Sequence, residues 1–270
     1  MTYDISALAA KHGPWSITKA GVAETCPAQF HHRFVIRTST KVDASVAKVG
    51  TAAHTILEHC VVGVTLADAK KIALEKTPLT TTEQEDLRTF EDPIELFLRR
   101  FDAFCRREHA VDVLREIEWG FTQNYISTGY FAPDVYFRGK LDLGVITQNR
   151  DLMIIDHKTG RVSDLHQDTK KKYQLYTYAV LAAVNVPDLC GVRCGINFLH
   201  GHKDFQLQWL DYMETPHIKK TYVPWLYRYL NSVSENLVEP FRAQPKPAWP
   251  CKWCEYRLVC PEYQEMTGGG

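Results

Sequence analysis

Arg138-Gly139-Lys140-Leu141-Asp142, then the turn Gln148-Asn149-Arg150-Asp151, then Ile154-Ile155-Asp156-His157-Lys158-Thr159-Gly160, is the stretch whose reading decides the fold. Two apolar runs, 141–146 and 152–155, flank a polar turn, which is the signature of a β-hairpin. A hairpin centred on Asn149 sets Asp142 opposite Asp156, and directly opposed residues have Cβ atoms roughly 4.5–5.5 Å apart. Strand alternation puts Asp156 and Lys158 on one face and His157 on the other. Two carboxylates and an ammonium then share one small volume. Like charges that close repel unless a cation sits between them. A solvated, salt-bridged strand face is the plainer reading of the same residues.

Composition sets the outer limits. With 270 residues, 45% hydrophobic and 24% charged, the chain is long enough to bury a sizeable core. We expect one domain over residues 1–267, with a helical insertion at about 65–110 and a cysteine-rich segment at about 245–261. Gly268-Gly269-Gly270 reads as a tail or linker. No apolar run approaches the roughly 20 residues that span a bilayer. The start, Met1-Thr2-Tyr3-Asp4-Ile5-Ser6, lacks the basic and apolar parts of a signal peptide, so the expected location is cytoplasmic, with no membrane partner. The net charge is zero, so no global basic field announces nucleic acid. Such a partner would need local patches, and Lys170-Lys171-Lys172 and Arg106-Arg107 are candidates.

Eight cysteines without a secretory signal argue against a disulfide framework. Cys60, Cys105, Cys190 and Cys194 sit in apolar surroundings and read as small core residues. Cys251, Cys254 and Cys260 are compact, and Pro245, Pro247 and Pro250 lead stiffly into them. A tetrahedral or cubane site needs a fourth ligand, and Cys26, beside Pro27, is the best candidate. Four thiolates suit zinc or an iron–sulfur cluster, and spacing does not decide between them. Either would tie together residues more than 200 apart, a cross-link worth about 5 kcal/mol of chain entropy.

Along the chain, residues 45–60 read as a helix rich in small residues, with His54 at the edge of its apolar stripe. Residues 66–76 form another. Thr81-Thr82-Glu83 looks like a helix start, and Pro93 is expected to break or restart the helix that runs to about Arg107. This charged stretch could serve as a lid. Residues 113–125 read as a strand with Glu116 and Glu118 on one face. A helix at about 167–185 puts Gln174 and Tyr178 on one side, four residues apart. Strands at 191–200 and 205–214 and a helix at about 216–237 complete a mixed sheet flanked by helices, an α/β sandwich.

Gly139-x-x-Asp142, Asp156-x-Lys158-Thr159-Gly160 and Gln174-x-x-x-Tyr178, in that order, resemble the RecB-like branch of the PD-(D/E)XK nucleases, whose core is restriction-endonuclease-like. His54 matches the extra metal ligand of that branch. Cys26 with Cys251-x2-Cys254-x5-Cys260 resembles the split four-cysteine [4Fe-4S] site of its clustered members, such as AddB-type subunits and the CRISPR-associated Cas-four nucleases. The resemblance implies a Mg²⁺- or Mn²⁺-dependent DNA exonuclease acting on single-stranded or frayed ends in recombination, repair or replication. It implies His54, Asp142, Asp156 and the carbonyl of His157 as metal ligands. Lys158 would act on the attacking water, Gln174 and Tyr178 would hold the substrate strand and the lysine, and Glu118 (or Glu116) would be an outer acid. His157 departs from the usual apolar residue at its position, and alternation turns its ring away from the site. A phage or prokaryotic source suits such a protein. With no Walker A loop to power unwinding, it would need a strand end, a fray, or a partner such as a helicase or recombinase. Tyr125, Tyr130, Phe131, Tyr136 and Phe137 could stack on bases or fill the core. Two other readings stand beside this one. One is a CRISPR-adaptation nuclease that trims prespacers with an integrase. The other is a DNA-binding scaffold without catalysis.

Overall fold

The computed structural model describes residues 6–39, 45–200, 206–243 and 251–268. Three prolines named above (245, 247 and 250), Phe205, and residues 1–5, 269 and 270 lie outside them. Three short helices come first: α1 (Ala7–Lys11), α2 (Ile17–Thr25) and α3 (Pro27–Phe30), the last running into a π turn, His31–Val35. Ser16 starts α2 by accepting the Lys19 N–H at 3.2 Å. Cys26 ends α2 in extended backbone, as a residue before proline must.

Four helices follow: α4 (Ser45–Cys60), α5 (Leu66–Lys76), α6 (Thr81–Arg88) and α7 (Glu91–Arg107). A reciprocal capping box between Thr80 and Glu83 fixes the start of α6, so the cap is Thr80 and not the Thr81 cluster. Pro93 falls in the first turn of α7, where it has no intrahelical N–H to forfeit. The chain therefore breaks at Thr89–Phe90, ahead of the proline. Helix α7 buries Ile94, Phe97, Phe101 and Phe104 at helical spacing. That stripe lies against the sheet and builds core there, which is not how a free lid behaves.

The sheet comprises β1 (Ala110–Phe121), β2 (Ser127–Thr128), β3 (Phe137–Thr147), β4 (Asp151–Lys158), β5 (Gly191–Phe198), β6 (Gln206–Trp209) and β7 (Met213–Glu214). Its order is β2-β1-β3-β4-β5-β6, with β7 also paired to β5. Among the described strands β4 and β5 are the parallel pair, joined by the crossover helix α8 (Thr169–Asn185), and Trp15 adds a parallel bridge to Phe137. The stretch expected as one strand over 205–214 is two, with β6 and β7 both antiparallel to β5. The closing helix is also divided: α9 (Thr215–His217), a π segment Ile218–Tyr222, then α10 (Val223–Glu235). A 3₁₀ turn, Cys251–Trp253, and α11 (Pro261–Thr267) finish the described chain.

Two apolar cores lie on opposite faces of the sheet. One gathers α2, α3, α8 and α10 over Phe121, Phe137, Leu141, Ile154 and Ile196. The other gathers α4 to α7 over Leu143, Val145, Met153 and Ile155. Leu141 and Leu143 should share a face by alternation, yet they enter different cores. Ile117 and Val113 on the neighbouring strand do the same. Between them Glu116 holds φ +46°, in the left-handed region, and the β1–β3 ladder skips the Glu116–Asp142 position. The sheet thus exchanges its faces at Asp142. Of the cysteines read as core, Cys60 and Cys194 are buried and Cys105 is half-buried, but Cys190 is exposed, because it precedes β5 instead of entering it.

Candidate active site

The β3–β4 ladder pairs Leu143 with Ile155, Gly144 with Ile154, and so on toward the turn. This register is the one centred on Asn149, so Asp142 and Asp156 come next, where the ladder stops. Strand β4 continues along β5 to Lys158, while β3 diverges toward β1. A fork opens between them. In it the Asp142 carboxylate replaces the missing backbone pairing: its Oδ2 accepts the His157 N–H at 2.7 Å. Its Oδ1 lies 3.4 Å from His54 Nδ1 on α4. The face exchange at Glu116 is what lets Asp142 reach α4.

Asp156 points the other way, onto α8. Its Oδ1 accepts from Gln174 Nε2 and from the Tyr178 hydroxyl, both at 3.1 Å, and Gln174 Nε2 also reaches that hydroxyl at 2.6 Å. Gln174 and Tyr178 therefore hold the carboxylate of Asp156. The expectation that they hold the lysine is not what the geometry shows. Lys158 Nζ stands 2.7 Å from Asp156 Oδ2, off the direction of a well-formed hydrogen bond, so that fully buried oxygen keeps unused acceptor capacity. Gly139 is required for this packing: a Cβ there would come within 2.5 Å of Leu181 Cδ1 and 3.9 Å of the Tyr178 ring.

Electrostatics separate the two acids. Burial alone would raise both. At Asp142 burial is outweighed by the His54 hydrogen bond and charge and by His157, so its pKa falls below the ordinary carboxylate value. At Asp156 burial and the charge of Asp142 prevail over Lys158 and His54, and its pKa rises. Burial works against the charged form of His54, but the hydrogen bond and charge of Asp142, with Asp156, raise its pKa overall. His157 turns away from Asp156 and Lys158, as alternation predicts, and its ring stands edge-on to His54 at 6.1 Å. Its ring meets Phe97 edge-on at 5.0 Å, its Nδ1 lies 3.0 Å from Asn197 Nδ2, and burial pushes its pKa down to about 4.

Two cavities flank the carboxylates. One of about 520 Å³ is lined by His54, Glu58, Lys76, Glu116, Lys140 and Asp142. Glu116 is ion-paired with Lys140. Glu118, the acid favoured from sequence, is beside Lys140 in the β1–β3 register and lines neither cavity. The structure brings Glu116 to the site instead. Alternation could not show this, because the left-handed residue is Glu116 itself. The second cavity, about 260 Å³, is lined by Lys158 and Gln174 from this site and by residues of α2, α8 and α10.

Among the described residues, no group of three or more His, Cys, Asp or Glu side chains stands ready in the geometry of a metal ion. The donor chemistry nevertheless fits Mg²⁺ or Mn²⁺: a buried carboxylate and a half-buried one beside a histidine, the buried one with an oxygen left short of partners. As they lie, Asp142 is turned to His54 and Lys158 supplies the counter-charge.

Cys26, at the C-terminal end of α2, is within electrostatic reach of Cys254 and Cys260, although among the described residues no three cysteines stand in metal-binding geometry. Burial raises the Cys254 thiol, and Cys26 and Cys251 raise it further; burial, Glu262 and Cys26 do the same to Cys260. All four are free and half-buried. Stacked rings of His32 and Tyr256, 5.2 Å apart, and an Arg33–Glu255 ion pair at 3.8 Å dock the C-terminal segment on the π turn after α3. Thiols that hinder each other's ionisation fit a site that a metal or cluster would neutralise. Of the aromatic residues considered for base stacking, Tyr136 and Phe137 are core. Phe131 is exposed, edge-on to Tyr130, with the Arg138 guanidinium over both rings. No helix among the described residues is long and apolar enough to cross a membrane.

The chain is similar in fold to the crystal structure of a candidate exonuclease from Eubacterium rectale, with a TM-score of 0.50, 11% identity and 89% and 88% of the two chains covered. It also aligns with the crystal structure of SSO0001 at a TM-score of 0.36 and 13% identity, over 92% of this chain and 97% of that one. No curated protein matches its sequence. The sequence pattern of the PD-(D/E)XK nuclease superfamily matches residues 14–261, from the entry to α2 through the last of the four cysteines. The chain belongs to the PD-(D/E)XK nuclease superfamily.

Proposed function

We propose that this chain is a Mg²⁺- or Mn²⁺-dependent deoxyribonuclease of the RecB-like branch. It acts as one domain on single-stranded or frayed DNA ends in recombination, repair or replication. The observation that supports it best is the convergence of Asp142, Asp156, Lys158 and His54 at the fork between β3 and β4. His54, Asp142 and Asp156, with the His157 carbonyl, are the residues that would hold the metal. When bound, the ion acidifies a water and offsets the charge that develops on the phosphate.

The protein's own groups do the rest. Gln174 and Tyr178 hold Asp156 to one rotamer, and their hydrogen bonds favour its ionised form. His157 donates its amide to Asp142 and so fixes the second acid to the strand that bears the first. Lys158, beside Asp156, would orient the attacking water or stabilise the charged phosphate. Cys26, Cys251, Cys254 and Cys260 would hold a [4Fe-4S] cluster, with Zn²⁺ as the alternative occupant, joining the end of α2 to the C-terminal segment.

The test is a nuclease assay on linear, circular and end-blocked DNA, single- and double-stranded, with each metal. Degradation of linear single strands with Mg²⁺ or Mn²⁺, and none with EDTA, is expected. Intact substrates under every condition would refute the proposal. Cutting of closed circles would refute the need for ends.

A further inference from the structure

The smaller cavity beside Lys158 lies between one helix face and two tyrosines. Its wall on one side is a single face of α2: Ile17, Thr18, Gly21 and Glu24, at positions i, i+1, i+4 and i+7. Gly21 leaves that wall bare, since a Cβ there would meet nothing within 4 Å. Facing it are Tyr173 from α8 and Tyr229 from α10. Trp225 lies parallel to Tyr229 (5.8 Å, 4°), and Tyr173 meets Trp225 edge-on at 4.9 Å, so the two tyrosines are braced from behind. The Tyr229 hydroxyl donates to Glu24 Oε2 at 3.0 Å. Lys158 and Lys170 complete the lining.

We infer that this cavity is a subsite for one unpaired nucleotide next to the cleaved phosphate. The nuclease reading of the site underlies the inference, which adds what the substrate must look like. Aromatic walls take the face of any base, since every base has a π-face. The Glu24 carboxylate can accept from a ring N–H or an amino group on the base edge. Lys158 and Lys170 supply the positive charge that a phosphate needs. A base inside a duplex presents no free face, and about 260 Å³ is below the range of common ligand clefts, roughly 300–1,000 Å³. The cavity therefore admits one unstacked nucleotide and excludes a paired one. Lys158 and Gln174 also contact Asp156, so the nucleotide held here is adjacent to the bond under attack.

Two variants test the subsite. Gly21→Leu fills the cavity from a position with open space around it, removes no contact and favours the helix. Tyr229→Leu removes one wall, and Tyr229→Phe restores the ring without the hydroxyl. The readouts are binding of labelled oligothymidine in Ca²⁺, binding of a blunt duplex of equal length, and KM and kcat on the single strand in Mg²⁺ or Mn²⁺. Gly21→Leu and Tyr229→Leu are expected to weaken single-strand binding and raise KM by about 5- to 100-fold. Tyr229→Phe should recover most of that loss, and duplex binding should not change. Parent-like KM and affinity in a folded Gly21→Leu would overturn the subsite while leaving the nuclease reading intact. A parent that binds oligothymidine through this cavity but cleaves nothing would do the reverse.

Discussion

Asp142 Oδ2 accepts the main-chain N–H of His157 at 2.7 Å, one residue beyond the last pair of the β3–β4 ladder. A side chain thus completes the sheet at the point where its backbone no longer can. The same carboxylate is a proposed metal ligand, so sheet geometry and site geometry are set by one group.

That double duty separates two substitutions. Asp142→Ala leaves the His157 amide without its acceptor and should cost about 1–3 kcal/mol in a urea melt. Asp142→Asn keeps an acceptor and should stay near parent stability. Both, and Lys158→Ala, should lower metal-dependent degradation of labelled single-stranded DNA by at least about a hundredfold. Parent-like digestion by any of the three would show that the site is misplaced.

Glu116 and Glu118 make a second pair to compare. Glu116 lines the cavity that contains His54 and Asp142, and Glu118 does not. Glu116→Gln is expected to reduce kcat by about tenfold or more if the acid acts on the site, with Glu118→Gln close to the parent. Equal effects, or the opposite order, would return the role to Glu118.

Gly139→Ala should be costly although alanine is small. Its Cβ would press on Leu181 Cδ1 at 2.5 Å, on the helix that also carries Tyr178, the partner of Asp156. Overpacking of this kind destabilises by about 1–3 kcal/mol, and activity should fall with it. Leu181→Ala in the same chain opens room for the added methyl. If the double variant regains none of the activity lost to Gly139→Ala, crowding is not the cause.

The cysteine site predicts a colour. A protein purified without oxygen should be brown with broad visible absorbance, and Cys26→Ser should lose the colour and melt at lower temperature. A colourless preparation containing stoichiometric zinc would assign the site to Zn²⁺ instead.

Lys19 supplies a pH signature away from the site. Burial, with Arg138 and Arg37 nearby, lowers its pKa from 10.5 to about 8. Its ammonium donates to the His12 carbonyl at 2.7 Å and stands over Trp15, Phe30 and Phe34. Between those two values the unfolded chain binds more protons than the native one, so stability rises with pH across that window. The ceiling is about 3 kcal/mol, reduced where the ammonium reaches water. Urea melts at pH 7.5 and 9.5 should show a larger gain for the parent than for Lys19→Gln. Identical gains would place the cause elsewhere.

Much of this was legible in the chain. The hairpin register followed from a polar turn between two apolar runs, and helices α4 and α5 from helical periodicity and flanking turn residues. The four-residue spacing on α8 put Gln174 and Tyr178 on one side of the helix, but did not show that they bind Asp156. What could not be read has one physical origin in each case. Alternation assumes an unbroken strand, and Glu116 at φ +46° breaks it, which hid both the choice of acid and the turn of Asp142 toward His54. The subsite walls come from α2, α8 and α10, more than 200 residues apart at the extremes, and no local pattern joins them. Pro93 marked the restart of a helix as expected, since proline is tolerated in a first turn.

The exchange of faces at Asp142 has a consequence for how this protein can change over time. Along most of the strands, side chains on one face enter the core under α4 to α7 and those on the other enter the core under α8 and α10. Either can accept new side chains without consulting the other. At Asp142 that independence ends, since Leu141 is rooted in one core and Leu143 in the other. Drift in either half is felt at the same carboxylate. The halves are free to diverge in size and shape, on the condition that they keep agreeing about one residue.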